Sequence, residues 1–233
     1  MILHRLNVQR GSSRTDWLDS RHTFSFGGFH DRQWMGFGPL RVLNEDRVAA
    51  GGGFAPHRHA NMEIISYVVQ GALQHADSLG SGSIIRTGDV QVISAGSGIE
   101  HSEFNASQDD SVHFLQIWIQ PDRINATPRY TQQQFPPAQR EGVLRLVASP
   151  DGVDGSLPIR QDARIYAGLL RAGQSITYPL ESARRAWLQL VSGALRIDDD
   201  TRMDSGDGAG VSEQSGLQLH AISDCELMLL DLP

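Results

Sequence analysis

An all-β protein made of two related β-barrels is what this sequence predicts. Helical periodicity is scarce, and short runs rich in β-branched and aromatic residues dominate. Gly, Pro, Asp, Asn and Ser punctuate those runs, with 24 glycines and 10 prolines scattered along 233 residues rather than clustered. A weak internal repeat relates the two halves.

In chain order, the first half offers HTFSFGGF (22–29), RVLNEDRV (41–48), MEIISYVV (62–69), SIIR (83–86), DVQVIS (89–94) and VHFLQIWI (112–119) as strands. Between the last two, IEHSEFN (99–105) alternates only in part, and its polar members would face inward. Such inward polar groups are costly unless they bind something. The stretch TPRYTQQQFPPAQREG (127–142) is rich in Gln and Pro and lacks apolar periodicity, so it reads as a linker. The expected domains are therefore an N-terminal barrel over 1–132 and a C-terminal barrel over 133–233. Beyond the linker, VLRLVA (143–148), ARIYAGLL (163–170), AWLQLV (186–191), LQLH (217–220) and ELMLLDL (226–232) supply the second set of strands.

The repeat pairs YVVQGALQ around Gly71 and GDVQVIS from Gly88 with LQLVSGALRI around Gly193 and GDGAGVSE from Gly206. Counting from the aligned glycines sets His57 and His59 opposite Pro179 and Glu181. The second half has only His220. Any paired-histidine chemistry is thus expected in the N-terminal barrel, with the C-terminal one a structural or interaction lobe.

Composition narrows the function classes. The net charge of −7 argues against a general phosphate-binding surface, and so against direct nucleic-acid binding. Cys225 is the sole cysteine, which rules out an intramolecular disulfide and fits a reducing, cytoplasmic location. The N-terminus, MILHRLNVQR, has no apolar core of signal-peptide length. No run approaches the ~18 apolar residues of a membrane-spanning helix, so no membrane association is expected.

Two short segments carry chemistry. GGGFAPHRHANME (51–63) contains His57 and His59, and SGIEHSEFN (97–105) contains His101 and Glu103. In a strand, residues i and i+2 share a face, so each pair can aim two ligands at one point. Three imidazoles and a carboxylate suit one divalent ion of the borderline-to-hard class, and they leave an octahedral ion two open positions. The absence of thiolates makes a closed structural zinc site less fitting. Glu63 shares the His57–His59 face if the strand stays regular. It is then a fifth ligand, a partner that supports a ligand from behind, or a hydrogen-bonded rim residue; the supporting role is favoured.

Other residues receive plainer expectations. His75 and His113 are satisfied by local hydrogen bonds, and His22 belongs to an aromatic segment that covers one barrel end. His4, His30 and His220 are surface or packing residues. The tryptophans, including Trp118 and Trp187 in strand-like runs, are core. GSGI before His101 is no phosphate loop, because the GK[ST] ending is missing.

At these residues the chain resembles a known family. Gly51, His57-Arg58-His59 and Glu63 resemble the first cupin motif, with Gly71 one residue later than usual. Gly88, His101 and Asn105 resemble the second, with Ser94 at the customary proline and two extra residues between Gly96 and His101. Those departures, with HTFSFGGF, LRVLNED, PHRHANMEIISYVVQG and SAGSGIEHSEFN, are similar to the pirins, and the resemblance runs the whole length. It implies a bicupin with one metal site, in the N-terminal barrel. It implies His57, His59, His101 and Glu103 as ligands and sets Glu63 aside as one. Phe54, Asn44 and Gln116 match positions near the metal. The implied ion is Fe(II), with Zn, Mn, Co, Ni or Cu as substitutes.

Several bacterial pirins act as quercetin 2,3-dioxygenases, so the resemblance implies a flavonol and O2 as substrates, Glu103 as base and carbon monoxide as a product. The alternatives it leaves open are an iron- and redox-sensing protein that binds a protein partner, and a cupin enzyme with another substrate.

Overall fold

The computed structural model describes residues 1–198 and 200–233. Their elements are almost all strands; the longest helix is the single turn Pro137–Arg140. No helix among the described residues is long and apolar enough to cross a membrane.

Contacts divide the chain into two units. The N-terminal unit comprises Gly11–Phe135 and Leu157–Gln161. The C-terminal unit comprises Met1–Arg10, Pro136–Ser156 and Asp162–Pro233. The first ten residues join the latter because Ile2–Arg5 pairs with Gly208–Ser212.

The N-terminal unit has a large and a small antiparallel sheet. The large sheet runs, in spatial order, Arg129–Gln134, Asp89–Ser94, Glu63–Gln70, Val112–Ile119, Leu40–Val48, Leu18–His22 and Gly11–Arg14. The small sheet runs Gly53–His59, Ile99–Asn105, Ala72–Asp77 and Gly82–Arg86. Within the expected linker, Arg129–Gln134 is a strand that pairs with Asp89–Ser94 along its length, and the two units meet in sequence at Phe135 and Pro136. The strand lies at the sheet edge with no residue fully buried, so its glutamines need no apolar alternation.

One row across the large sheet positions the site. The cross-strand register sets His22 beside Asn44, Asn44 beside Gln116, Gln116 beside Ser66 and Ser66 beside Gln91. A polar row thus crosses the inner face of the large sheet. On one side of it lie Ile64, Ile93 and Trp118; on the other lie Val68 and Phe114.

The C-terminal unit repeats the plan by itself. Its small sheet runs Ser175–Pro179, Gly216–Ala221, Ala194–Ile197 and Thr201–Asp204, matching the order of the first. Gly71 and Gly193, the anchors of the sequence repeat, both adopt positive φ (82° and 83°). A Cβ at Gly193 would lie 2.2 Å from the Asp224 carbonyl, and one at Gly71 2.9 Å from that of Ser111. Only glycine fits such a turn.

The chemistry of the row does not repeat. The register in the second unit aligns Tyr166, Leu229, Leu188 and Ala209 where the first has Asn44, Gln116, Ser66 and Gln91. Asn105 pairs with Leu73 and Ala221 with Leu195, so Leu217 and Leu219 stand where the first unit has His101 and Glu103. His57 pairs with His101 and Tyr178 with Leu217, which makes Tyr178, not Pro179, the counterpart of His57. These residues form one continuous apolar core.

Candidate metal centre

The strand Ile99–Asn105 alternates cleanly: Ile99, His101, Glu103 and Asn105 are buried, and the residues between them are not. His101 and Glu103 therefore point inward together, as period two requires. On one flank His101 pairs with His57 and Glu103 with Phe54; on the other, with Asp77 and His75. The first register slips between His101 and Glu103. Ser102 alone there opposes Ala55 and Pro56, a bulge in an edge strand. The bulge is why Phe54 shares a face with His57 although they are three residues apart.

The three imidazoles converge. Ring centroids lie 4.8 Å apart for His57–His59, 4.5 Å for His57–His101 and 5.0 Å for His59–His101. Their ligand atoms all lie within 4.8 Å of one another, and so do those of His75, His101 and Glu103. His57 Nδ1 donates to the Ala55 carbonyl at 2.8 Å, which leaves its Nε2 lone pair free. His59 Nε2 and both nitrogens of His101 are buried without a hydrogen-bond partner. Buried polar atoms are seldom left unpaired, so these nitrogens fit a ligand role. Burial first, and then neighbouring imidazoles, lower His59 from 6.5 to about 4 and His101 from 6.5 to about 3. Both rings are neutral at pH 7, the form that binds a cation.

Glu103 shares a candidate ligand group with His101 and His75, and not with His57 and His59. Its Oε1 accepts from Ser66 Oγ and Gln91 Nε2, both at 3.1 Å, and its Oε2 accepts from Gln116 Nε2 at 2.8 Å. All three donors come from the polar row. They suit an ionised carboxylate, which only accepts, and leave a lone pair on Oε2.

His57, His59 and Glu103 line a cavity of about 530 Å3. Trp17, Phe26, Phe54 and Trp118 give it aromatic walls, and Ser13, Ser20, His22, Asn44 and Asp46 a polar one. Trp17 meets Phe54 edge-on at 5.2 Å, and Trp118 meets His59 edge-on at 4.8 Å. On the polar wall His22 Nδ1 donates to Asn44 Oδ1 at 3.0 Å, and Ser13 Oγ donates to His22 Nε2 at 2.8 Å.

Two expectations need correction. Glu63 is not on the His57–His59 face: the chain breaks at Asn61, which adopts φ 52°, and Glu63 begins a strand of the other sheet. It is an odd number of residues from Ser66, so it faces away from the site. There it accepts from Ser94 Oγ at 2.7 Å and from the Arg160 backbone N–H at 3.1 Å. Of the two strand tryptophans, Trp187 is fully buried, but Trp118 is half-buried and walls the cavity. Sequence reasoning also missed Ser66, Gln91, His75 and Asp77. The signal was present in DVQVIS, where Gln91 is the polar residue at an inward position.

Comparison with known proteins decides the family. Residues 5–119 match the Pirin family model, and residues 146–232 match that of the quercetinase C-terminal cupin domain. The chain is 41% identical to a quercetin 2,3-dioxygenase of Escherichia coli K12, covering 100% of this chain and 99% of the relative.

The chain belongs to the pirin family. This pirin is also 42% identical to a putative quercetin 2,3-dioxygenase of Pseudomonas aeruginosa, with both chains fully covered. Its fold matches the crystal structure of YhhW from Escherichia coli with a TM-score of 0.96 at 41% identity, covering 100% of this chain and 98% of that one. The same protein solved in complex with nickel(II) matches at 0.95, with 40% identity and coverage of 100% and 99%.

Proposed function

We propose that this pirin is a quercetin 2,3-dioxygenase-like oxidoreductase that binds one divalent ion, Fe(II) in the cell, through His57, His59, His101 and Glu103. The observation that carries the reading is the set of unpartnered buried imidazole nitrogens above a hydrogen-bonded carboxylate, at the end of an aromatic-walled cavity. When bound, the ion supplies Lewis-acid charge and a redox partner for O2. The cavity volume and flat aromatic walls suit a flavonol. Trp17 and Phe54 hold its ring system, and the Ser13 hydroxyl, oriented by His22, accepts from a peripheral hydroxyl group. Glu103 Oε2 takes the proton of the 3-hydroxyl with the one lone pair that otherwise holds the ion, while Ser66, Gln91 and Gln116 keep the carboxylate oriented. Apolar walls exclude water as O2 adds to the heterocycle, which opens and releases carbon monoxide.

The test is flavonol-dependent oxygen uptake and carbon monoxide release by iron-loaded protein. His57→Ala and Glu103→Ala should each lower turnover by roughly 100-fold or more, the scale of a lost ligand or base. Full turnover by either variant rules the assignment out.

A further inference from the structure

His75 is a second buried histidine beside the ligands, and no step above uses it. It is 1% exposed, and it packs against His101 with ring centroids 5.5 Å apart. A ring nitrogen of each lies within 4.8 Å of the other. Two contacts fix its ring. Its Nε2 lies 2.8 Å from Asp77 Oδ2. Tyr130 stacks on it at 4.5 Å with planes 19° apart, and the Tyr130 hydroxyl is itself bonded to Gln132 and Ser83. Asp77 is held in turn: its Oδ1 accepts from the backbone N–H groups of Leu79 at 2.8 Å and Ser81 at 3.0 Å.

These bonds settle the tautomer. A carboxylate only accepts, so His75 carries its proton on Nε2 and presents a lone pair at Nδ1. That Nδ1 is buried without a partner. His101 has the complementary excess: when one of its nitrogens binds an ion, the other is an N–H, also buried and unpartnered. A ligand histidine donates its second N–H to an acceptor that sets its orientation and basicity.

We propose that Asp77 and His75 are positioning residues for the metal centre, His75 Nδ1 accepting the second N–H of His101 in a carboxylate–imidazole–imidazole relay that ends at the ion. A small ring rotation or one bridging water closes the gap. The proposal rests on His101 being a ligand. It assigns the polar pair behind the site a role in holding metal, not in contacting substrate.

The test measures Ni(II) affinity of the metal-free full-length protein by competition with a chromophoric chelator, with thermal melting of each metal-free variant. His75→Phe keeps the stack on Tyr130 and removes the acceptor; affinity should fall about 10- to 100-fold. Asp77→Asn should do the same by a different route. The Leu79 and Ser81 N–H groups keep the amide oxygen, so the amide NH2 faces His75 and forces the proton onto Nδ1. His75→Asn restores an acceptor close to the Nδ1 position and should stay within about threefold of the parent affinity. His101→Ala should abolish tight binding. If it does not, the reading of the metal centre fails. If His101→Ala abolishes binding while folded His75→Phe and Asp77→Asn retain the parent affinity, the relay alone is overturned. It is also overturned if His75→Asn is as weak as His75→Phe, since packing would then explain both.

Discussion

Gln116 Nε2 donates to Glu103 Oε2 at 2.8 Å, joining the large sheet to the small one beneath the histidine cluster. Gln116 stands between Asn44 and Ser66 in the polar row, so the same row that walls the cavity also orients the carboxylate. A carboxylate held by three donors cannot swing away without breaking a buried bond.

Replacing Gln116 with Leu removes one donor and keeps most of the volume. Metal affinity should fall by about 10-fold or more, the usual cost of losing a bond that orients a ligand. Chelator competition reads this directly. An unchanged affinity would show that Ser66 and Gln91 suffice to hold Glu103.

Acid should destabilise the metal-free protein through His59 and His101. Their folded values, about 4 and about 3, lie below the ordinary 6.5. As pH falls the unfolded chain therefore takes up protons first. Stability from these two groups is complete above an unfolded value of 6.5 and is lost as pH falls from there toward the folded values. Each group contributes up to about 1.4 kcal/mol per pH unit in that window. Urea melts at about pH 7 and pH 5 should show the loss, and His59→Gln should flatten the slope. A level profile in the parent protein would contradict the burial of neutral imidazoles.

The second barrel should respond as a core and not as a site. Leu219, the counterpart of Glu103, is fully buried in the apolar cluster of that unit. Leu219→Ala should cost about 2–5 kcal/mol. Leu219→Glu should cost at least as much, because Leu188, Ala209 and Leu229 offer no donors where Ser66, Gln91 and Gln116 do. Neither change should alter the amount of metal bound per chain. Urea unfolding and metal analysis check both halves of this expectation.

The sequence by itself determined the all-β class, the duplication and the convergence of ligands within each short segment. Those are local properties: period two fixes which side His101 and Glu103 face, and Gly71 and Gly193 need no partner to specify a turn. It also showed that the second half lacks paired histidines. The tertiary structure decided everything that depends on strands distant in sequence. It brought His57 beside His101, used a bulge at Pro56 to turn Phe54 inward, and carried Glu63 away into the other sheet. It set Ser66, Gln91 and Gln116 around one carboxylate, and His75 with Asp77 behind one imidazole. Cross-strand register governs each of these outcomes. Register is set by the hydrophobic pattern of whole sheets and by turn geometry, so no short motif contains it.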